Sequence, residues 1–248
     1  MRLSARLSEI YGISRRNAKK YITEGRVVLN GKTLRKDIEL NGDENPLLEV
    51  KNTGRIIDAD SFIISVKNGV IFYYKPPFIH SERHTPDDET AISDLVPETH
   101  RLISRLDFET DGIIAAVEKE TEITELKKVY IAVVQGVFPE KLYMDNAIDA
   151  AKRKKVKVLD NKGLNPARFS RRMLMRDCSV VQAELKQANR HQLRAYLAHS
   201  GFPIIGDKLY GGAEFPRLML HCEYTSVNKI EETSKRSDNF LDYFSNHI

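Results

Sequence analysis

The sequence predicts an α+β protein built on a mixed, largely antiparallel sheet, and three observations carry that expectation. Apolar runs of strand length recur at 70–74, 113–117, 129–134 and 179–185, each too short for a typical helix. The run at 129–134 is almost unbroken, as befits a strand buried on both faces. Many strands with few helices argue against a doubly wound parallel sheet.

In chain order, residues 1–48 read as a small unit. A helix is expected around 4–10, and after Gly12-Ile13 the hydroxyl of Ser14 can cap a second helix running to about Glu24. Gly25 ends that helix, and 26–34 suggest a tight hairpin, since Asn30-Gly31 suits a two-residue turn. Residues 49–225 form the main domain, with 49–68 a linker and a first strand around Phe62-Ile63-Ile64. Strand 70–74 is stopped by Lys75-Pro76-Pro77, and a polar loop carrying His80, His84 and Pro86 follows. A turn divides the apolar runs between 102 and 117, residues 118–128 read as helical, and a further strand is expected near 155–159. Residues 189–201 have the marks of a short helix. Asn189 serves as N-cap with Gln192 three positions on, Leu193 and Leu197 make an apolar stripe, and Gly201 is the stop. Residues 226–248 are polar and are expected to be a tail or peripheral helix.

The net charge of +4 is modest, but it is unevenly spread. Residues 1–36 hold ten Lys/Arg against Glu9 and Glu24, and 152–194 hold thirteen against three acids. Two basic zones on a near-neutral background suggest a polyanionic partner, because clustered phosphate contacts release counterions. Arg15, Arg16, Lys19 and Lys20 are spaced to share a helical face, with Lys32 on the hairpin beyond. No apolar run reaches membrane length, and the basic start differs from a signal peptide. Two distant cysteines, Cys178 and Cys222, suit a reducing setting, so a cytoplasmic location is expected, and separately the chain is expected to act as a monomer.

Two segments hold the candidate chemistry. Ser104-Arg105-Leu106-Asp107-Phe108-Glu109-Thr110-Asp111-Gly112 is a charged turn feeding strand 113–117. An aspartate in a turn is by itself ordinary. In the helix at 189–201, Arg194 lies beside the apolar stripe and points inward, where it needs a carboxylate partner. There is no Gly-rich phosphate loop, and the spacing of His80, His84 and His100 fits no metal-ligand pattern. No cofactor and no metal are expected.

The stretch Gly12-Ile13-Ser14-Arg15-Arg16-Asn17-Ala18-Lys19-Lys20-Tyr21-Ile22, followed by Gly25-Arg26-Val27-Val28-Leu29-Asn30-Gly31, resembles an S4-type RNA-binding module. That resemblance implies phosphate contacts for Arg15, Arg16, Lys19, Lys20 and Lys32. Residues 69–222 resemble the RluA-type pseudouridine synthases. The likeness is carried by Arg105-Leu106-Asp107, Lys128-Val129-Tyr130-Ile131-Ala132, His191-Gln192-Leu193-Arg194, Gly201 to Gly211, and Leu218-Met219-Leu220-His221. It implies an isomerase that turns uridine into pseudouridine in structured RNA, ribosomal RNA first and transfer RNA second.

Asp107 matches the catalytic aspartate that starts breakage of the glycosidic bond. Tyr130 matches the tyrosine that packs against the base, Arg194 the arginine paired with the aspartate, and Arg105 the one that fills the gap left by the extruded nucleotide. Arg190, beside the His-Gln-Leu-Arg core, joins the RNA-binding set. Ser104 stands where the family usually has histidine and Asp111 where serine is common, which bears on substrate choice rather than core chemistry. The stretch between Val117 and Lys128 is also shorter than is typical. The competing readings are a non-catalytic RNA-binding or ribosome-assembly factor on the same fold, or an unrelated hydrolase. A pure binder has no need of Asp107, Tyr130 and Arg194 together, and a hydrolase would lack a partner acid, nucleophile or metal.

Overall fold

A computed structural model of the chain describes residues 1–11, 15–29, 32–40, 47–48, 62–83, 91–151 and 154–246. Ser14, Asn30-Gly31, His84, Pro86 and the 49–61 part of the linker lie outside them. At the N-terminus, α1 (Leu3–Tyr11) and α2 (Arg15–Thr23) precede β1 (Val27–Leu29), β2 (Lys32–Leu34) and β3 (Leu47–Leu48). The order of this small sheet is β2-β1-β3, and Leu29 pairs with Lys32, the register of a two-residue connection. On α2, Ala18, Tyr21 and Ile22 are buried while Arg15, Arg16, Lys19 and Lys20 are exposed. This is the amphipathic split that the spacing required.

Ten strands form the main sheet: β4 (Ile63–Lys67), β5 (Val70–Lys75), β6 (His100–Leu102), β7 (Asp111–Glu118), β8 (Leu126–Gln135), β9 (Lys141–Asp149), β10 (Lys157–Leu174), β11 (Cys178–Leu185), β12 (Leu220–Val227) and β13 (Ile230–Thr233). Its path is β4-β5-β7-β12-β8-β11-β10-β9, with β6 on β7 and β13 on β12. Every pairing is antiparallel except β7 with β12. The sheet is therefore mixed and mostly antiparallel, as the short apolar runs implied. Strand β8 lies at its centre, and Val129 to Val134 are buried as the unbroken run predicted.

Three expectations are corrected. Residues 118–128 are not helical: β7 ends at Glu118, a turn follows, and β8 begins at Leu126. The backbone N–H groups of Thr124 and Glu125 donate to the Asn228 side-chain oxygen at 2.9 and 3.1 Å, and Asn228 Nδ2 donates to the Glu122 carbonyl at 2.7 Å. A distant asparagine thus takes up the groups that helical bonds would have used.

The helix α3 (Gln192–His199) starts later than the Asn189 cap required. Its cap is His191, held in the left-handed region at φ 55°, although Gln192 Oε1 does accept from the Asn189 N–H at 2.9 Å. Residues 226–246 hold the expected helix, but they are no tail set apart from the main domain. Strand β12 runs through Val227, β13 pairs with it, and α4 (Ser237–Ser245) buries Phe240, Tyr243 and Phe244. Those three belong to one apolar cluster with Leu3, Leu7 and Ile22 of the N-terminal helices.

Candidate active site

The segment between β6 and β7 is built as a rigid perch. Ser81 pins its middle, donating to the Leu106 carbonyl and accepting from the Leu106 N–H, both at 2.9 Å. Further along, the Phe78 N–H donates to the Phe108 carbonyl at 2.7 Å, and Lys75 Nζ reaches the same oxygen at 3.3 Å. Lys75 is fully buried and also donates to the carbonyls of Ile79 (2.8 Å) and Pro76 (3.0 Å). Burial lowers its pKa to about 7, against the pull of Asp111 and Asp107. With its backbone held this way, the Asp107 side chain projects into a cleft of about 720 Å³.

The sheet order explains why residues far apart in sequence meet there. Strand β12 enters between β7 and β8, so that Cys222 pairs with Gly112 on one side and with Tyr130 on the other. Gly112, at φ 125°, is obligatory, since a Cβ there would fall 2.3 Å from the Cys222 carbonyl oxygen. That close approach seats the Asp107 turn beside Tyr130. Burial, with Cys222 and Asp107 nearby, pushes the Tyr130 phenol well above its usual value, so it stands protonated at neutral pH. Its ring, 4% exposed, is a packing surface in the cleft wall.

Arg194 is 2% exposed and holds three carboxylates. Its principal partner is Asp207, gripped in a fork from Nε at 2.7 Å and Nη2 at 2.8 Å. Glu109 lies 2.9 Å from Nη2, and Asp107 only 3.4 Å from Nη1. The arginine–aspartate pairing expected with Asp107 is present, but it is the loosest contact of the three. Burial opposes the charge on Arg194, and the bonds and charges of Asp207, then Asp107 and Glu109, outweigh it and raise its pKa. Asp207 follows Gly206, whose φ of 81° and closeness to Arg217 (1.9 Å from a built Cβ to the carbonyl oxygen) admit no side chain. The same carboxylate also accepts from the N–H groups of Leu209 and Tyr210, each at 3.2 Å.

Around this centre His191 brings Nε2 to 4.0 Å from Asp107, and burial lowers its pKa. Arg105 and Arg190 line the same cleft. The Arg105 side chain is 65% exposed and pairs with Glu82 at 3.3 Å, while Arg190 reaches the Ala150 carbonyl at 3.4 Å. Arg15, Arg16, Lys19, Lys20 and Lys32 are exposed and are not among the residues lining the cleft. Of the basic run 152–155, the first two lie outside the described residues, and Lys155 Nζ stands 5.0 Å from the centroid of the Tyr210 ring.

Directly behind the cleft is a second, closed cluster. Asp111, 2% exposed, pairs with Arg217, meets His221 Nδ1 at 3.1 Å and accepts from the Tyr74 hydroxyl at 2.8 Å. Burial alone would raise the Asp111 carboxyl. Arg217 and His221, with hydrogen bonds from His221 and Tyr74, bring it well below the usual carboxylate range. Phe240 of α4 stacks on His221 at 5.4 Å and lies at the same distance under Arg217.

Sequence reasoning gave no role to Asp207, Glu109, Lys128 or this cluster. Asp207 and Lys128 stand inside recognisable motifs, but their partners come together only once the chain is folded. Among the described residues no group of His, Cys, Asp and Glu is arranged to hold a metal ion. No helix there is long and apolar enough to cross a membrane.

The family described as RNA pseudouridylate synthase matches residues 69–199, just over half the chain. An uncharacterized RNA pseudouridine synthase of Helicobacter pylori (strain J99) is 29% identical over 235 residues, spanning 87% of this chain and 89% of that protein. A ribosomal large subunit pseudouridine synthase D of Xanthomonas campestris is 26% identical over 238 residues, spanning 86% of this chain and 72% of the relative. Among solved structures, human RNA pseudouridylate synthase domain containing 1 superposes with a TM-score of 0.57 at 15% identity, covering 73% of this chain and 85% of that one. The last likeness is one of fold.

Proposed function

Because the chain belongs to the RNA pseudouridylate synthase family, we propose that it isomerises uridine in large-subunit ribosomal RNA, with Asp107 as the catalytic residue. The observation that carries this reading is a single cleft in which the Asp107 carboxylate, the Tyr130 ring and the buried Arg194 converge. Of the three carboxylates on Arg194, Asp107 makes the longest contact, at 3.4 Å. It starts breakage of the bond between uracil N1 and ribose C1′, the freed ring turns against Tyr130, and C5 bonds to C1′. The C5 proton is lost and N1 gains one, so atoms and electrons balance without a redox partner. Reaching a uridine inside structured RNA requires flipping it out, at roughly a few kcal/mol. Arg105, at the exposed rim, is suited to fill the space left behind.

Transfer RNA is the second choice of substrate. The ribosomal choice draws support from the relative's name and from the N-terminal unit, which we read as an S4-like module spanning residues 1–48. Its exposed Arg15, Arg16, Lys19, Lys20 and Lys32 would track phosphates, with Arg190 continuing the path at the cleft. The test is pseudouridine mapping by carbodiimide-block primer extension on total RNA from cells with and without the gene. Loss of one or a few large-subunit positions is expected. Loss confined to transfer RNA would overturn the ribosomal assignment.

A further inference from the structure

Lys128 is a buried cation with almost nothing to hold. It precedes Tyr130 by two positions on β8, so both side chains stand on one face of the strand and line the cleft with Asp107. The residue is 2% exposed. Its Nζ donates to the Ser104 hydroxyl at 3.2 Å and lies 5.5 Å from the centroid of the Tyr130 ring. Among the described residues no carboxylate comes within ion-pair distance of it. The other buried cations at the site are well supplied, Arg194 with three carboxylates and Lys75 with three carbonyls. An ammonium has three donors and no acceptor, and leaving them unmet in a buried wall is costly. Among the described residues only the Ser104 hydroxyl accepts from Nζ, and Lys128 lines the same cleft as Tyr130, within reach of a ring packed there.

We propose that Lys128 is a substrate-contacting catalytic residue, whose ammonium donates to a carbonyl of the flipped uracil and holds the negative charge of the detached ring. The assignment rests on the pseudouridine-synthase reading of the cleft. When the bond between N1 and C1′ breaks, its electron pair leaves with the ring, and the charge spreads over N1 and the two carbonyl oxygens. That holds whether Asp107 attacks the sugar or removes a proton from it. A fixed cation at the ring edge acts where charge develops and needs no reorganisation at that moment. Once C5 has bonded to C1′, the C5 proton is lost, N1 is protonated and the charge is gone. A phosphate is the poorer partner. It stays with the solvated backbone at the rim, where the Arg105 side chain is 65% exposed, whereas Lys128 is sunk to the depth of Tyr130.

The experiment measures tritium release from [5-³H]uridine-labelled total RNA of cells lacking the gene, together with RNA affinity and thermal unfolding of each variant. Lys128→Met is expected to lower turnover about 100-fold or more while RNA affinity stays within about threefold. Lys128→Arg keeps the charge and is expected to retain part of the activity. The groups facing Nζ are Asp107, Tyr130, Cys222 on β12 and the Ser104 hydroxyl. Activity of the unsubstituted enzyme should fall on the alkaline side as Lys128 loses its proton, and Lys128→Arg should move that limb upward. Lys128→Met turning over within about threefold of the unsubstituted enzyme, beside an inactive Asp107→Asn, overturns the proposal. So does a loss confined to RNA affinity, or an unmoved alkaline limb in Lys128→Arg should Lys128→Met fail to fold. Silence from the unsubstituted enzyme is a different failure, since it removes the reaction itself and this role with it.

Discussion

Two buried arginines, Arg194 and Arg217, face carboxylates from the two ends of one short segment, and they treat them differently. At the Asp111 end everything is closed: Arg217, His221 and Tyr74 meet a carboxylate that is 2% exposed. At the Asp107 end Arg194 spends its best geometry on Asp207 and leaves Asp107 at 3.4 Å, with a side chain 19% exposed. A closed cluster is expensive to break and cheap to leave alone, which suits an anchor. An open contact keeps a carboxylate oriented yet available. The segment is thus nailed down at position 111 so that position 107 can be left loose.

The largest expected effect separates the two ends outright. Asp107→Asn should lower pseudouridine formation on the order of 10⁴-fold while RNA affinity stays within a few-fold. Because its contact is weak and partly solvated, the melting temperature should hardly move. A fully active variant would sink the mechanism.

Asp111→Asn should do the reverse, costing roughly 3–5 kcal/mol of stability in denaturant titrations by stranding Arg217. The pH dependence has a definite sign. The Asp111 carboxyl titrates lower in the folded chain than in the unfolded one. Its stabilisation is therefore complete above the unfolded value of about 4 and is lost as pH falls below it. The stability gap between the unsubstituted protein and Asp111→Asn should be flat from neutral pH down to about 5 and shrink below about 4. A gap that widens on acidification would contradict the anchor role.

Next in size is Asp207→Asn, expected to lower turnover about 100-fold by letting Arg194 shift toward Asp107. Its stability cost should be smaller than that of Asp111→Asn, because Arg194 keeps Glu109 and Asp107. Equal costs would mean that the two arginine sites are equally closed. The smallest effect lies far from both. Neutralising Arg15, Arg16, Lys19 and Lys20 together should leave turnover at saturating RNA unchanged and weaken binding. It should flatten the plot of log affinity against log salt by about 0.7–0.9 for each phosphate that is no longer neutralised. An unchanged slope would remove these cations from the RNA path.

Much of this was legible in the chain, for identifiable reasons. Strands 70–74, 113–117, 129–134 and 179–185 were readable because they lie in the buried middle of the sheet, where apolar runs are required. Strand β9 and all of β10 beyond the stretch expected at 155–159 escaped because they form its half-exposed polar margin, with Leu164 standing 96% exposed. Residues 118–128 carry helix-favouring Glu, Lys and Leu, and the decisive partner, Asn228, lies 100 residues away and more. In the cleft, Asp107, Tyr130 and Arg194 were named from motifs. The division of Arg194 between Asp207 and Asp107 was not, since it depends on a few tenths of an ångström between distant segments.

The position of β12 has one more consequence, and it concerns time. Strands β7 and β8 are neighbours in sequence but not in the sheet, because residues 220–227 lie between them. As the chain is made, β7 and β8 emerge early and must stay unjoined until β12, which begins at Leu220 well past the end of β8 at Gln135, has followed. Bringing together segments so far apart in sequence is slow. Until that happens, nothing abuts Gly112, His221 has not met Asp111, and the Asp107 turn has no fixed seat beside Tyr130. The Asp107 loop takes its place only when the late strand arrives, so on the proposed reading a chain cut short before residue 220 should be inert.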